Sequence, residues 1–185
     1  MIKSGYFLAP FLALSLSGLA AQSSGNVEIR FSYAKQPGSG SNQFAIWVED
    51  AQGQVIKTIY ATRFTAQGGW ERRPQSIPQW VKQSGLARMN KAQIDAFTAA
   101  TPLAGILRYQ WDGTDQKRVP VPPGIYQVYV EATLRGENRV VYQAQVEIGG
   151  GPVEIQAQAR YFGTGEAERN MIGPVTVQYK PRINA

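Results

Sequence analysis

The feature that most narrows the folds open to this chain is a period-two alternation of apolar and polar residues that returns along most of its length. Val27, Ile29, Phe31 and Tyr33 alternate with Glu28, Arg30 and Ser32. Phe44, Ile46 and Val48 alternate with Ala45, Trp47 and Glu49. Tyr126, Val128, Val130 and Ala132 alternate with Ile125, Gln127, Tyr129 and Glu131. Val140, Tyr142, Ala144, Val146 and Ile148 form a fourth run, Val153, Ile155, Ala157 and Ala159 a fifth, and Val175, Val177 and Tyr179 close the chain. Successive side chains of a strand point to opposite faces. Each run therefore predicts a half-buried antiparallel strand with one face in the core and Gln, Glu or Arg outside. Turn-forming segments separate the runs: Pro37 to Asn42, Ala51 to Gln54 ahead of a strand from Val55 to Tyr60, Arg135 to Asn138, and Gly149 to Pro152. Short strands punctuated in this way predict an all-β fold, an antiparallel β-sandwich.

The alternation fails from Thr62 to Gly105. Trp70, Ile77, Trp80 and Val81 are apolar but irregularly spaced, and Lys91 to Phe97 predicts about two helical turns with Asn90 as the N-cap. We read residues 22–185 as one domain carrying a partly helical insertion over 62–105. Long connections in compact domains are often functional, and the tryptophans argue for an ordered one. Trp70 and Trp80 are candidates for an exposed aromatic platform that stacks on sugars. Their ordinary role would be packing, as expected of Trp47 and Trp111 in the strands.

The first 21 residues have the form of a secretory signal: Lys3, a mostly apolar stretch from Tyr6 to Leu16, then the small residues Ser17-Gly18-Leu19-Ala20-Ala21. Cleavage is expected after Ala20 or Ala21. The apolar run falls short of the roughly 20 residues that a membrane span needs, so the expected destination is the periplasm.

Two absences limit the chemistry. With no Cys there is no disulfide, thiolate nucleophile or Cys-bound metal, and with no His there is no histidine base, triad or ligand. Carboxylate chemistry of the glycosidase kind stays open, but nothing pairs two of the 13 acidic residues into a catalytic site. The net charge of +6 is scattered over the chain. No long basic helix or aromatic RNA-binding motif accompanies it, which argues against a nucleic-acid partner.

Two motifs stand out. Trp111-Asp112-Gly113-Thr114-Asp115, followed by Pro122-Pro123-Gly124-Ile125-Tyr126, reads as a hairpin that delivers Trp111 to the core and turns through Asp112-Gly113. Asp112 and Asp115 are oxygen donors of the kind that hold a hard cation, but they lack the ligand density of a calcium loop, and a structural turn is the expected role. The hairpin resembles that of the Ig-like domain of the flagellar hook-capping protein, which implies an Ig-like sandwich.

The second motif, Asp95-Ala96-Phe97-Thr98-Ala99-Ala100-Thr101, closes the insertion. It is similar to the covalent flavin-attachment sequence of bacterial flavoproteins, in which a flavin transferase joins FMN through a phosphoester to the last hydroxyl. That resemblance implies Thr101 as acceptor, with Asp95 and Thr98 as recognition positions. Ala99 departs from the pattern, which usually has Gly there. A requirement for positive φ would disfavour Ala. The plain alternative is a helix end running into Pro102. Arg72, Arg73 and Arg108 are basic candidates for holding the FMN phosphate, but no motif selects them.

Three blocks, Phe44 to Thr58, Asp95 to Gly105 and Trp111 to Ala132, together resemble the predicted periplasmic proteins of domain-of-unknown-function family twenty-two seventy-one. The resemblance implies an association with flavin transferases and with PepSY-type membrane proteins, and so an accessory, flavin carrier or docking partner, in periplasmic electron transfer. The alternative is a non-catalytic Ig-like binding or scaffolding module of the envelope.

Overall fold

The computed structural model describes residues 25–37, 42–135, 137–163 and 171–182. The export signal expected over residues 1–21, the middle of the Pro37–Asn42 loop and Gly136 of the Arg135–Asn138 turn lie outside these residues.

The alternating runs form two sheets. Strands β1 (Gly25–Tyr33), β5 (Gly105–Trp111), β8 (Val153–Gln156) and β10 (Thr176–Pro181) make a four-stranded antiparallel sheet in the order β5-β1-β10-β8. Strands β2 (Gln43–Glu49), β3 (Val55–Thr62), β4 (Thr98–Ala99), β6 (Gly124–Arg135), β7 (Asn138–Ile148) and β9 (Gln158–Phe162) make a six-stranded sheet in the order β4-β3-β2-β6-β7-β9. Every pairing is antiparallel except β3 with the two-residue β4. The inward residues of each run meet between the sheets. Val27, Ile29, Phe31, Phe44, Ile46, Trp111, Val128, Val130 and Val177 are all at most 2% exposed and belong to one core. The molecule is the expected all-β sandwich.

Two features differ from the pattern reading. The run from Val153 to Ala159 is two strands, not one. At Ala157, whose N–H donates to Val175 O, the chain leaves the four-stranded sheet as β8 and joins the six-stranded sheet as β9. Strands that switch sheets make the corners of sandwiches.

The second difference concerns the outer face of the six-stranded sheet. It is not solvated at β2, where all seven residues are buried. The insertion folds over it as a third layer. This layer includes an irregular turn over Thr65–Gly69 and the helices α1 (Trp70–Arg72), α2 (Pro78–Ser84) and α3 (Lys91–Asp95). Ala66, Ile77, Trp80, Leu86 and Phe97 from this layer bury Ala45, Trp47 and Ala61 of the sheet in a second, smaller core. Asn90 is the expected N-cap of α3. Its side chain accepts from Gln93 N, while the Gln93 side chain reaches back to Asn90 N, which satisfies two helix-end donors at once.

Candidate functional site

The Asp95–Thr101 segment is built from both ends of the covering layer. Asp95 is the last residue of α3, and Lys91 holds it one helical turn away as an i,i+4 ion pair, with Gln67 Nε2 donating at 3.2 Å. The hydrogen bond from Lys91 keeps the Asp95 carboxyl below the usual carboxylate range. Phe97 then drives into the second core and meets Trp80 edge to face at 5.8 Å. Its carbonyl accepts from Ala61 N at 3.1 Å. Thr98 and Ala99 pair in parallel with Ala61 and Thr62 at the edge of the sheet. Tyr60 completes the anchor by donating its hydroxyl to Ala100 O at 3.0 Å.

Tyr60 is 6% exposed and stacks on Phe44 at 4.8 Å, so this hydrogen bond ties the loop to the sandwich core. Burial holds the Tyr60 hydroxyl well above its ordinary pKa, so it stays a donor.

Beyond that anchor the segment opens to solvent. Ala99, Ala100 and Thr101 are exposed, and Thr98 is half-buried. Ala99 lies in extended backbone, outside the left-handed region, so Ala in place of Gly costs no strain at this position. The segment is therefore not a helix running into Pro102. The helix ends at Asp95, and a short edge strand carries the chain to Thr101. Asp95, Thr98 and Thr101 thus lie along one short tether rather than around a cavity. An exposed hydroxyl flanked by small residues suits modification by a second enzyme. It is not suited to reacting unaided, because no base is positioned on it among the described residues.

Sequence reasoning missed the clamp that holds the covering layer. Glu131, expected on a solvent face, is fully buried. Its Oε1 accepts from Gln79 N at 3.2 Å and from Arg139 Nη1 at 2.9 Å, and its Oε2 accepts from Trp80 N at 2.7 Å. Burial pushes its carboxyl above the ordinary range, against the pull of the two backbone N–H groups and Arg139. Two residues on, Thr133 Oγ1 accepts from Ile77 N at 2.8 Å and donates to Gln75 O at 3.1 Å. Trp80 Nε1 donates to Thr58 Oγ1 at 3.1 Å. These bonds satisfy backbone groups at the start of α2, where Ile77 adopts φ +42°. That conformation is costly for a β-branched residue. The covering layer is therefore fastened to the outer rows of β3 and β6, not merely laid on them.

The remaining candidates fall into place. Trp80 is fully buried and Trp70 is half-buried against the second core, so the two do not form an exposed platform. Arg72 and Arg73 lie over the Phe64 ring, whereas Arg108 pairs with Glu28 on the outer face of the other sheet, so the three do not converge. The Trp111 hairpin is a turn, as expected. Trp111 Nε1 donates to Thr114 O, Asp112 accepts from Lys57 and Thr114, and Asp115 accepts from Lys117 N and Val119 N.

Fold and site together define a class: an all-β sandwich whose larger sheet is covered by a clamped helical layer, with a tethered, exposed hydroxyl segment at that sheet's edge. Within that class, the family model described as Predicted periplasmic protein (DUF2271) matches residues 24–167, and the chain belongs to that family. This places it in the periplasm, as its first residues predict. Among the described residues, no helix is long and apolar enough to cross a membrane. No curated protein and no solved structure matches the chain, so the likeness to the hook-capping hairpin rests on the motif alone.

Proposed function

We propose that this protein is a non-catalytic accessory of a flavin-linked periplasmic redox system, carrying FMN on Thr101. The observation that carries this reading is the placement of Thr101. It is exposed, next to the small residues Ala99 and Ala100, one residue beyond a backbone carbonyl anchored by Tyr60. Such a tether presents a hydroxyl to a flavin transferase while the sandwich stays folded. Bound FMN would supply the electron transfer, for which the chain has no redox side chain of its own. Thr101 Oγ1 would bond to the flavin phosphorus and lose its proton, displacing the leaving group carried by the transferase's activated flavin-nucleotide donor, and Asp95 and Thr98 would be read by the transferase. A PepSY-type membrane protein is the proposed electron-exchange partner.

The test is co-expression with a flavin transferase and detection of covalent flavin fluorescence after denaturing electrophoresis. The wild-type and Thr101→Ser chains should fluoresce and Thr101→Ala should not. A dark wild-type band beside a labelled control substrate would overturn the carrier reading.

A second reading, a binding or scaffolding module without bound flavin, is favoured by Leu103 and Ile106. They are 88% and 62% exposed immediately after the tether and offer an apolar contact to a partner.

A further inference from the structure

The outer face of the four-stranded sheet carries an arrangement that nothing above uses. Arg30 on β1 stands directly opposite Arg108 on β5, and on its other side it stands opposite Thr176 on β10. Like charges directly opposite each other on neighbouring strands are destabilising, because their Cβ atoms are only about 5 Å apart. Arg108 is partly compensated by Glu28, whose Oε1 accepts from its Nη1 at 3.0 Å. The Arg30 side chain makes no hydrogen bond or ion pair with any described residue.

The two arginines border a cleft of about 340 Å³ that also takes in Ser32, Thr176, Pro174 and Ile106. Gly173 makes room for the Ser32 hydroxyl. A Cβ at that position would collide with Ser32 Oγ, and the backbone N–H of Gly173 donates to Ser32 O at 2.8 Å. One cleft therefore brings together two guanidinium groups, with nearly all of their N–H donors uncommitted, and two hydroxyls, beside an exposed apolar side chain.

We propose that this cleft is a binding site for a phosphate group, taken from a phosphate ester or inorganic phosphate. Guanidinium forks match the oxygens of phosphate in pairs, hydroxyls can donate to the remaining oxygens, and a bound dianion turns the Arg30–Arg108 repulsion into attraction. The Glu28 carboxylate leaves the three side chains at a net charge of +1, which favours an anion over a neutral ligand. Ile106, 62% exposed at the rim, would contact the apolar part of an ester. This site does not depend on the flavin reading, because it lies on the other sheet and uses none of Asp95, Thr98 or Thr101.

The test is a thermal melt of the full chain in inorganic phosphate and in sodium chloride of equal ionic strength, for the wild type and for Arg30→Gln, an outer-face change that leaves the core intact. Phosphate should raise the wild-type melting temperature above its value in chloride, and Arg30→Gln should lose that increment, with phosphate affinity falling about tenfold. Co-sedimentation with phosphatidylglycerol and phosphatidylcholine vesicles identifies the source. Arg30-dependent binding to phosphatidylglycerol alone marks a lipid headgroup, and phosphate stabilisation without vesicle binding marks a soluble phosphate. No increment in the wild type together with no vesicle binding, or equal responses in Arg30→Gln, would overturn the proposal.

Discussion

Replacing Glu131 by Gln tests whether the covering layer is truly clamped to the sheet. The carboxylate accepts three hydrogen bonds at a position with no solvent exposure: Gln79 N and Arg139 Nη1 on one oxygen and Trp80 N on the other. An amide of the same shape has one accepting oxygen and one donating NH2. If its oxygen faces Gln79 and Arg139, the NH2 meets the N–H of Trp80. If it is flipped, the NH2 meets the N–H of Gln79 and the guanidinium. At least one buried donor is left unpaired in either case, which costs about 1–3 kcal/mol. Arg139, which also lies over the Phe162 ring at 3.7 Å, loses its counter-charge, and breaking a buried pair costs about 3–5 kcal/mol. These costs overlap, so the expected loss is about 3–5 kcal/mol. It would be read from urea unfolding followed by tryptophan fluorescence, with the slope of the transition unchanged. The double variant Glu131→Gln with Arg139→Gln should lose less than the sum of the two singles, because the pair is coupled. A loss under about 1 kcal/mol, or strict additivity, would show that Glu131 and Arg139 are not a clamp.

Other outcomes follow from the same contacts. Trp80→Ala empties the centre of the second core and strands Thr58 Oγ1, and should cost about 3–5 kcal/mol in the same assay. Asn90→Ala removes the half of the α3 capping arrangement in which the Asn90 side chain accepts from Gln93 N, leaves the bond from the backbone N of residue 90 to Gln93 Oε1, and should cost about 1 kcal/mol, seen as faster amide exchange at Gln93. Asp112 is raised by burial, but hydrogen bonds from Thr114 and Lys57 outweigh this and leave it below the ordinary carboxylate range. Its contribution to stability is therefore present above the unfolded value and is lost as the pH falls through the folded value. Lys57→Met should move the Asp112 carboxyl titration, followed by NMR, upward, and an unchanged titration would remove Lys57 as a cause.

The strands were legible because apolar side chains on alternate residues bury one face whatever lies on the other. Alternation cannot say what lies on that second face. Glu131 reads as a solvent-facing polar residue, yet it is buried with Thr133 under the covering layer, and the local sign was the large apolar pair Trp47 and Tyr129 in outward positions, which stack at 4.9 Å. The crossing at Ala157 was hidden because alternation continues through it without Gly or Pro. Helix α2 carried the usual start and stop signals, with Pro78 at its first residue and Gly85, at φ +67°, ending it. Its apolar content, Trp80 and Val81, was too small to show a helical period. The left-handed Ile77 runs against local preference, and only the tertiary bond to Thr133 accounts for it. At the candidate site, the tether's residue types were visible in sequence. Its anchoring was not, because Phe97 and Tyr60 act through contacts distant in the chain.

The flavin reading meets its most direct test in the intact mass of the mature protein purified from its native envelope. The expected value is the unmodified mass plus one FMN less one water, with a return to the unmodified mass in Thr101→Ala. An unmodified wild-type mass in cells with an active flavin transferase would contradict it.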